Sequence, residues 1–164
     1  MLEEKTKNAL KWILEILNKK NIPYEISGGF AAKLYGSKRL LNDIDLDVPE
    51  ENFKDILPEV QSYIIFGPGH LNDGKWDLYV MTLNYKGQEI DISGAYNAKV
   101  SNKERTKWIP IPADFSKIRK LKIDAISVNI ISPEDLIFYK QNLDGEHQVK
   151  DIQAINEFLT NNPK

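Results

Sequence analysis

The chain has 164 residues, a length typical of one domain that buries its own core without disulfides or structural metals. It contains no cysteine, which excludes disulfides, thiolate zinc sites and a cysteine nucleophile, and only two histidines, which excludes a histidine-rich metal centre. The 22 basic and 24 acidic residues give a net charge of −2, unlike the basic balance of a general nucleic-acid or membrane-surface binder.

The N-terminal segment predicts a helix and no targeting signal. Apolar residues recur at helical spacing over residues 2–20 with charges between them, which differs from the basic-then-apolar plan of a secretory signal. No apolar run approaches the roughly 18 residues that a membrane span needs. We therefore expect a cytoplasmic protein that does not contact a membrane.

Two short elements and an acidic strand follow this helix. Residues 24–27 predict a strand, Gly28 and Gly29 break it, and residues 30–35 predict a helix of about two turns. Residues 42–48 alternate strictly, with three aspartates on one face of the predicted strand and apolar side chains on the other. Pro49 and the two glutamates after it are typical of the first turn of another helix.

The middle of the chain predicts turns, a hairpin and a basic segment. Residues 67–74 are rich in turn-forming residues, and residues 76–85 and 88–93 predict a β-hairpin. Residues 94–122 have the least regular pattern, and between 99 and 122 there are eight basic and two acidic residues. This basic segment is either a flap that faces substrate and adds positive field, or a solvated loop over the hairpin.

The C-terminal part predicts a strand and two helices. Residues 125–131 predict the strand, and Ser132 with Pro133 has the chemistry of a helix cap and first turn. Gly145 ends this helix, and a last helix is expected at 147–160. We expect a single domain overall, with a core over residues 1–130 and a helical segment over 131–164 packed on it.

The acidic face of the strand at 42–48 is a candidate metal site. Asp43, Asp45 and Asp47 lie at i, i+2 and i+4, which spaces them roughly 6–7 Å apart in succession. Like charges so placed raise each other's pKa, and a cation removes the conflict. Magnesium prefers such hard oxygen ligands and typically takes one or two carboxylates plus substrate phosphates. The alternative is a solvated edge strand whose acids face water.

The turn before the short helix is a candidate phosphate site. Ser27, Gly28 and Gly29 lie between a predicted strand and a predicted helix, where free backbone N–H groups and the helix dipole favour phosphate. Glycine there allows a polyphosphate to approach the backbone closely. Taken alone the pair of glycines also fits a plain turn. Followed by the acidic strand, it brings a phosphate site and a metal site together.

These residues resemble the nucleotidyltransferase superfamily, the group related to polymerase beta. The resemblance is to its small single-domain branch, which includes lincosamide and aminoglycoside adenylyltransferases and nucleotidyltransferase toxins of phage-defence systems. Leu41 stands where a threonine is common in that branch, and Gln148 stands where many relatives have an arginine. The residues that carry the resemblance are Ile26-Ser27-Gly28-Gly29, Ala31, Tyr35-Gly36, Arg39, Asp43-Ile44-Asp45-Leu46, Ser132-Pro133-Glu134-Asp135-Leu136-Ile137, Lys140 and Lys150-Asp151.

The resemblance implies an α+β nucleotidyltransferase fold, with a central mixed β-sheet flanked by helices and a short C-terminal helical segment. It implies a third carboxylate on a later strand, which is Asp91 in the stretch 88–93, with Glu89 as the alternative. One or two magnesium ions would be held by these acids, and the cations and the glycine turn would bind phosphate. The implied metal and catalytic residues are Asp43, Asp45 and Asp91, and the implied nucleotide-binding residues are Ser27, Gly28, Gly29, Lys38, Arg39 and Lys140.

The activity implied by the resemblance is magnesium-dependent transfer of a nucleoside monophosphate from a nucleoside triphosphate to an acceptor hydroxyl. The acceptor is left open between a small molecule, a protein residue and an RNA end. Two alternatives have the same fold: a degenerate relative that binds nucleotide without turnover, and a toxin–antitoxin component that modifies a macromolecule. The sequence also leaves open the base and the oligomeric state, including a homodimer that completes its site at the interface.

Overall fold

The computed structural model describes residues 1–163, which fold into five α-helices, two short 3-10 turns and nine strands. The helices are α1 (Glu4–Lys19), α2 (Gly28–Leu34), α3 (Phe53–Val60), α4 (Pro133–Lys140) and α5 (Glu146–Asn161). The strands are β1 (Glu25–Ser27), β2 (Asp43–Val48), β3 (Ile64–Asn72), β4 (Trp76–Tyr85), β5 (Gln88–Gly94), β6 (Lys99–Ser101), β7 (Trp108–Pro110), β8 (Arg119–Ile123) and β9 (Ile126–Ile130).

All nine strands of the described chain form one mixed sheet, which confirms the expected α+β class. Its order is β7-β6-β4-β5-β2-β1-β9-β8, and β3 pairs with β4 outside this path. The pairs β2–β5 and β1–β9 are parallel, and the other pairs are antiparallel. The acidic strand therefore lies near the middle of the sheet, between β1 and β5, rather than at an edge.

The apolar face of β2 anchors the core. Ile44, Leu46 and Val48 are completely buried, as strict alternation on a half-buried strand predicts. Helix α1 contributes a stripe of buried side chains to the same core and contacts β5 and α3. Each fully buried aliphatic side chain contributes about 1.5–3 kcal/mol, so this face fixes the strand's register and turns its aspartates to the opposite face.

Three sequence expectations were wrong in detail. Residues 67–72, expected to be turns, belong to β3, which pairs with β4 through register shifts on either side of Phe66. Such irregular pairing accommodates glycine and proline within a strand. The segment 94–122 contains three short strands rather than one irregular loop. Helix α2 begins at Gly28 rather than after the two glycines.

The basic segment is divided between opposite ends of the sheet. Strands β6 and β7 lie at one end of the strand order and β8 lies at the other. Its cations therefore do not form a single flap.

The C-terminal helices follow the predicted pattern and pack beside α2. Ser132 caps α4 by accepting a hydrogen bond from the Asp135 amide, 3.2 Å away, and Pro133 occupies the first turn. Helices α4 and α5 contact each other, and α2 contacts both. The predicted boundary between residues 130 and 131 falls at the end of β9. Among residues 1–163, no helix has the length and apolar character needed to cross a membrane.

Candidate active site

Parallel pairing of β2 with β5 brings three carboxylates together. The register places Asp45 opposite Asp91, and Asp43 opposite Glu89. Paired residues on neighbouring strands point to the same face. As a result, one carboxylate oxygen from each of Asp43, Asp45 and Asp91 lies within 4.8 Å of the others, and all three side chains are half-buried. We call these three residues the triad; the alternative third acid, Glu89, is exposed and lies outside it.

Burial and the neighbouring negative charges disfavour ionisation of two carboxyl groups of the triad, Asp43 and Asp45. Burial first, and then the charge of Asp91, raise the pKa of Asp43 to about 6. Burial and the charges of Asp43 and Asp91 also raise the pKa of Asp45 well above its usual range. The hydroxyl of Thr82 on β4 donates a 2.6 Å hydrogen bond to Asp91 Oδ1 and fixes that carboxylate. A cation between the three would favour their ionised forms.

The turn from β1 into α2 lies directly against the triad. Gly28 has a φ of +62°, and a Cβ at this position would collide with the carboxylate of Asp45. Only glycine fits this contact without strain. The Gly28 N–H donates a 2.5 Å hydrogen bond to the hydroxyl of Tyr139 on α4. A phosphate that binds the Gly28 amide would therefore have to displace this hydroxyl.

A second carboxylate pair, which the sequence analysis missed, extends the acidic face. Antiparallel pairing of β1 with β2 places Glu25 opposite Asp47, and Glu25 is only 2% exposed. Burial and the Asp47 charge raise the pKa of Glu25 to about 10, so its protonated carboxyl group donates to Asp47. The buried side chain of Ser27 also bonds to Asp47. The signal available in the sequence was a charged residue in the middle of a predicted short strand.

Two of the predicted phosphate-binding cations are held by a buried aspartate. Arg39 donates two hydrogen bonds to Asp151, one from Nε to Oδ1 at 2.8 Å and one from Nη2 to Oδ2 at 2.6 Å. Lys140 Nζ lies 3.0 Å from Asp151 Oδ2 and donates to Gln148 Oε1 at 2.9 Å. The hydroxyl of Ser37 donates to Asp151 Oδ1 at 2.7 Å. We call these five residues the Asp151 network; Asp151 itself has no exposed surface.

The network places its cations beside the triad. A Cβ at Gly29 would lie 3.2 Å from Arg39 Nη2, so the guanidinium covers the first turn of α2. Hydrogen bonding to Asp151 raises the pKa of Arg39, and the charge of Asp43 adds to the effect. The charge of Lys140 acts on Asp45 and partly offsets the rise in its pKa. Lys38, by contrast, is exposed and does not line the site.

The triad and the Ser27–Gly29 turn line one cavity of about 860 Å³, and from the Asp151 network Arg39, Lys140 and Gln148 line it too. Cavities that bury a drug-sized ligand span about 300–1,000 Å³. Of the eight basic residues between 99 and 122, all within the described range, only Lys117 lines this cavity. Of the two interpretations left open for this segment, a substrate-facing flap is therefore compatible only with Lys117, and the other seven basic residues do not line the cavity.

The two positions at which this sequence differs from the common pattern of the branch it resembles, Leu41 and Gln148, also line this cavity. Leu41 lines it and packs against the main core, so it supplies apolar surface where the branch commonly has a hydroxyl. Gln148 accepts the hydrogen bond from Lys140, which an arginine at that position could not do.

Comparison with known proteins gives matches in structure only. No family model matches the chain, and no curated protein matches it in sequence. TM1012 from Thermotoga maritima, whose assignment as a nucleotidyltransferase is itself provisional, is 16% identical with a TM-score of 0.71, covering 99% of this chain and 97% of its own. The lincomycin-bound lincosamide antibiotic adenylyltransferase LnuA is 16% identical with a TM-score of 0.61, covering 91% of this chain and 95% of its own.

A second antibiotic-modifying enzyme gives the same result. ANT(2″)-Ia in complex with adenylyl-2″-tobramycin is 17% identical with a TM-score of 0.62, covering 93% of this chain and 88% of its own. At these identities the similarity establishes architecture and not activity. The similarity extends over 91–99% of this chain. This chain has the nucleotidyltransferase fold.

Proposed function

We propose that this protein is a magnesium-dependent nucleotidyltransferase that moves a nucleoside monophosphate from a nucleoside triphosphate to an acceptor hydroxyl. The observation that carries the proposal is the triad, whose oxygens lie within 4.8 Å of one another in a cavity that also contains the first turn of α2. The fold shared with two adenylyltransferases of antibiotics supports the same chemistry.

The residues present fit a magnesium ion. The triad offers only hard carboxylate oxygens, and burial with repulsion from neighbouring charges disfavours the charged forms of Asp43 and Asp45 until a cation joins them. Asp43 and Asp45 would hold the ion that accompanies the triphosphate, and Asp91 would hold a second ion or accept a proton. When bound, magnesium supplies positive charge to the triphosphate and to the transferring phosphoryl group.

The remaining roles follow from the positions of the side chains. The acceptor oxygen attacks the α-phosphorus, the bond from that phosphorus to the pyrophosphate oxygen breaks, and the hydroxyl proton passes to Asp91, which Thr82 orients. Ser27, Gly28 and Gly29 would bind the terminal phosphates. Arg39 and Lys140 together with Asp151 carry a net charge of +1 (two cations and one anion), so they would offset only part of the charge on the departing pyrophosphate.

Asp91→Asn tests the division of roles within the triad. We expect transfer to fall by about a hundredfold, because the variant cannot accept the proton, while affinity for the triphosphate changes by less than about threefold. The assay supplies magnesium and the four nucleoside triphosphates labelled at the α-phosphate, and follows label into small-molecule, protein and RNA fractions of a cell extract. Transfer by Asp91→Asn at the wild-type rate would contradict the assignment.

A nucleotide-binding protein without turnover is the second candidate. Two observations favour it. The Gly28 amide already donates a hydrogen bond to Tyr139, and the predicted phosphate-binding cations Arg39 and Lys140 are already paired with Asp151. The same labelling assay separates the candidates. Triphosphate binding with no labelled fraction indicates the degenerate relative, whereas label in the protein or RNA fraction indicates a toxin-like component.

A further inference from the structure

The sheet face that carries the triad changes from acidic to apolar towards β4 and β6. Thr82 pairs with Asp91 and Val80 pairs with Ser93, so Val80 and Leu78 continue the face of the triad along β4. With Ala98, which precedes β6, they form a small apolar cluster separate from the main core. We call Leu78, Val80 and Ala98 the apolar wall. All three line the cavity of the triad and are only 7–9% exposed.

The mouth of the same cavity is also apolar. Leu40 is 86% exposed, and Phe66 and Phe138 are each 47% exposed, and all three line the cavity. Large apolar side chains exposed beside a polar site are typical of ligand-binding surfaces. The apolar wall and these three exposed side chains therefore add apolar surface to the cavity that contains the triad.

The strand order places the apolar wall opposite the candidate phosphate site. Across the sheet the order is β1, β2, β5 and β4, so the triad lies between the β1–α2 turn and the apolar wall. In phosphoryl transfer the attacking and leaving oxygens lie roughly in line. If pyrophosphate departs towards the β1–α2 turn, the attacking hydroxyl approaches from the side of β4. The acceptor body then rests on the apolar wall.

The charges around the cavity disfavour a polyanionic acceptor. In the described chain, seven acidic side chains line it, of which Glu25 carries a proton, against three lysine or arginine side chains. Two of those three cations, Arg39 and Lys140, are already paired with Asp151. An RNA end would bring further negative charge to this surface. A protein segment would press backbone N–H and C=O groups against the apolar wall, which offers no hydrogen-bond partner.

We propose that the acceptor is a small, predominantly apolar molecule that carries a hydroxyl and binds on the apolar wall. This inference rests on the proposed nucleotidyltransferase activity and names the substrate class of the same site. The bond between the acceptor oxygen and the α-phosphorus forms as the bond to pyrophosphate breaks. The hydroxyl proton passes to Asp91, and the electron pair of the broken bond leaves with pyrophosphate.

Two neighbouring residues on β3 provide a matched test with little risk to the fold. Phe66 and Ile65 are both exposed and apolar, but only Phe66 lines the cavity. Binding of naphthylethanol, a neutral apolar alcohol, is measured by saturation-transfer NMR titration, with sorbitol as the polar alcohol. We expect wild type to prefer naphthylethanol, Phe66→Ser and Ala98→Trp each to weaken its binding about tenfold, and Ile65→Ser to change it less than about twofold.

Magnesium–triphosphate binding, measured on the same samples, separates this inference from the function on which it rests. Unchanged triphosphate affinity in Phe66→Ser and Ala98→Trp shows that these variants are folded and that only the acceptor subsite has changed. Equal affinity for sorbitol and naphthylethanol, or undiminished naphthylethanol binding by Ala98→Trp, would overturn the inference while the proposed function stands. Naphthylethanol binding by a wild type that binds no triphosphate would reject the proposed function and the acceptor role with it.

Discussion

Asp45→Asn should lower the rate of nucleotidyl transfer by about a hundredfold or more, which corresponds to about 2.7 kcal/mol of transition-state stabilisation. The substitution keeps the size of the side chain but removes one ligand charge from the centre of the triad. Asp45 pairs with Asp91 on the neighbouring strand and lies directly against the backbone of Gly28. Single-turnover transfer of an α-phosphate label measures the loss.

The same substitution should stabilise the metal-free protein, which separates lost chemistry from lost folding. The folded state raises the pKa of Asp45, so it holds a proton that the unfolded chain releases above about pH 4. Stability due to this group therefore falls as the pH rises above that value, and asparagine removes the penalty. We expect a higher midpoint of thermal unfolding at pH 7 than for wild type, with a smaller difference at pH 4.

Glu89→Gln is the matched control for Asp45→Asn. Glu89 lies on the same face of the sheet but is exposed and outside the triad. We expect it to change turnover less than about twofold, because Glu89 is exposed and contributes no oxygen to the triad, although its charge adds to the rise in the pKa of Asp43. Turnover by Asp45→Asn at the wild-type level, or a larger loss in Glu89→Gln than in Asp45→Asn, would contradict the placement of the active site.

Asp151→Ala should destabilise the protein by about 3–5 kcal/mol, because it leaves buried charges without a partner. Asp151 has no exposed surface and binds Arg39, Lys140 and Ser37, and the Lys140 side chain is only 3% exposed. The network joins α5 to α4 and to the loop after α2, so its loss should also loosen the phosphate side of the cavity. Urea unfolding at pH 7 measures the change in free energy.

The loss of folding stability at low pH gives an independent measure of the Asp151 network. Burial alone would raise the pKa of Asp151, but hydrogen bonds from Arg39, Ser37 and Lys140 outweigh it and lower the pKa to about 2. A depressed pKa contributes stability that is present above about pH 4 and is lost as the pH falls towards 2. Wild type should therefore lose more stability across that window than Asp151→Ala does.

The exposed ion pair between Lys75 and Asp144 supplies a control for Asp151. Its two side chains are 19% and 58% exposed, and its nitrogen and oxygen lie 3.0 Å apart. Asp144→Ala should destabilise the protein far less than Asp151→Ala does, as expected for a solvent-screened pair. Equal destabilisation by the two substitutions would show that Asp151 is not the buried anchor described above.

The elements that sequence alone predicted well are those with strict local patterns. The alternation of β2 indicated both its apolar core face and its acidic face, and the segments 76–85 and 88–93 indicated the hairpin of β4 and β5. Along β2 and β5 the periodicity of burial coincides with the periodicity of the backbone. Asp43, Asp45 and Asp91, expected as candidate ligands, are brought together by the β2–β5 register.

The elements that were missed depend on pairing between distant segments. Strand β3 contains Gly67, Pro68 and Gly69, which locally favour turns, and it is a strand only because β4 pairs with it. Strands β6 and β7 have three residues each and have no detectable period. Local propensity does not reveal such elements, because their stability comes from tertiary contacts.

Side-chain networks were the least predictable part of the site. Arg39 and Asp151 are 112 residues apart, and Asp151 lies in a helix rich in polar residues, where an exposed position would be the usual expectation for a carboxylate. The buried Glu25 lies in a three-residue strand. Their burial follows from how α2, α4 and α5 pack and how β1 pairs with β2, which the sequence pattern does not specify.

Calorimetric titration of ATP, GTP, CTP and UTP, with and without magnesium, tests the central claim most directly. It compares wild type with the Asp43→Ala/Asp45→Ala double variant, which removes two of the three triad carboxylates. We predict that at least one triphosphate binds wild type only when magnesium is present, and that the double variant does not bind it. Absence of triphosphate binding by wild type, or equal binding by the double variant, would contradict the assignment of the triad as the site of a metal–triphosphate complex.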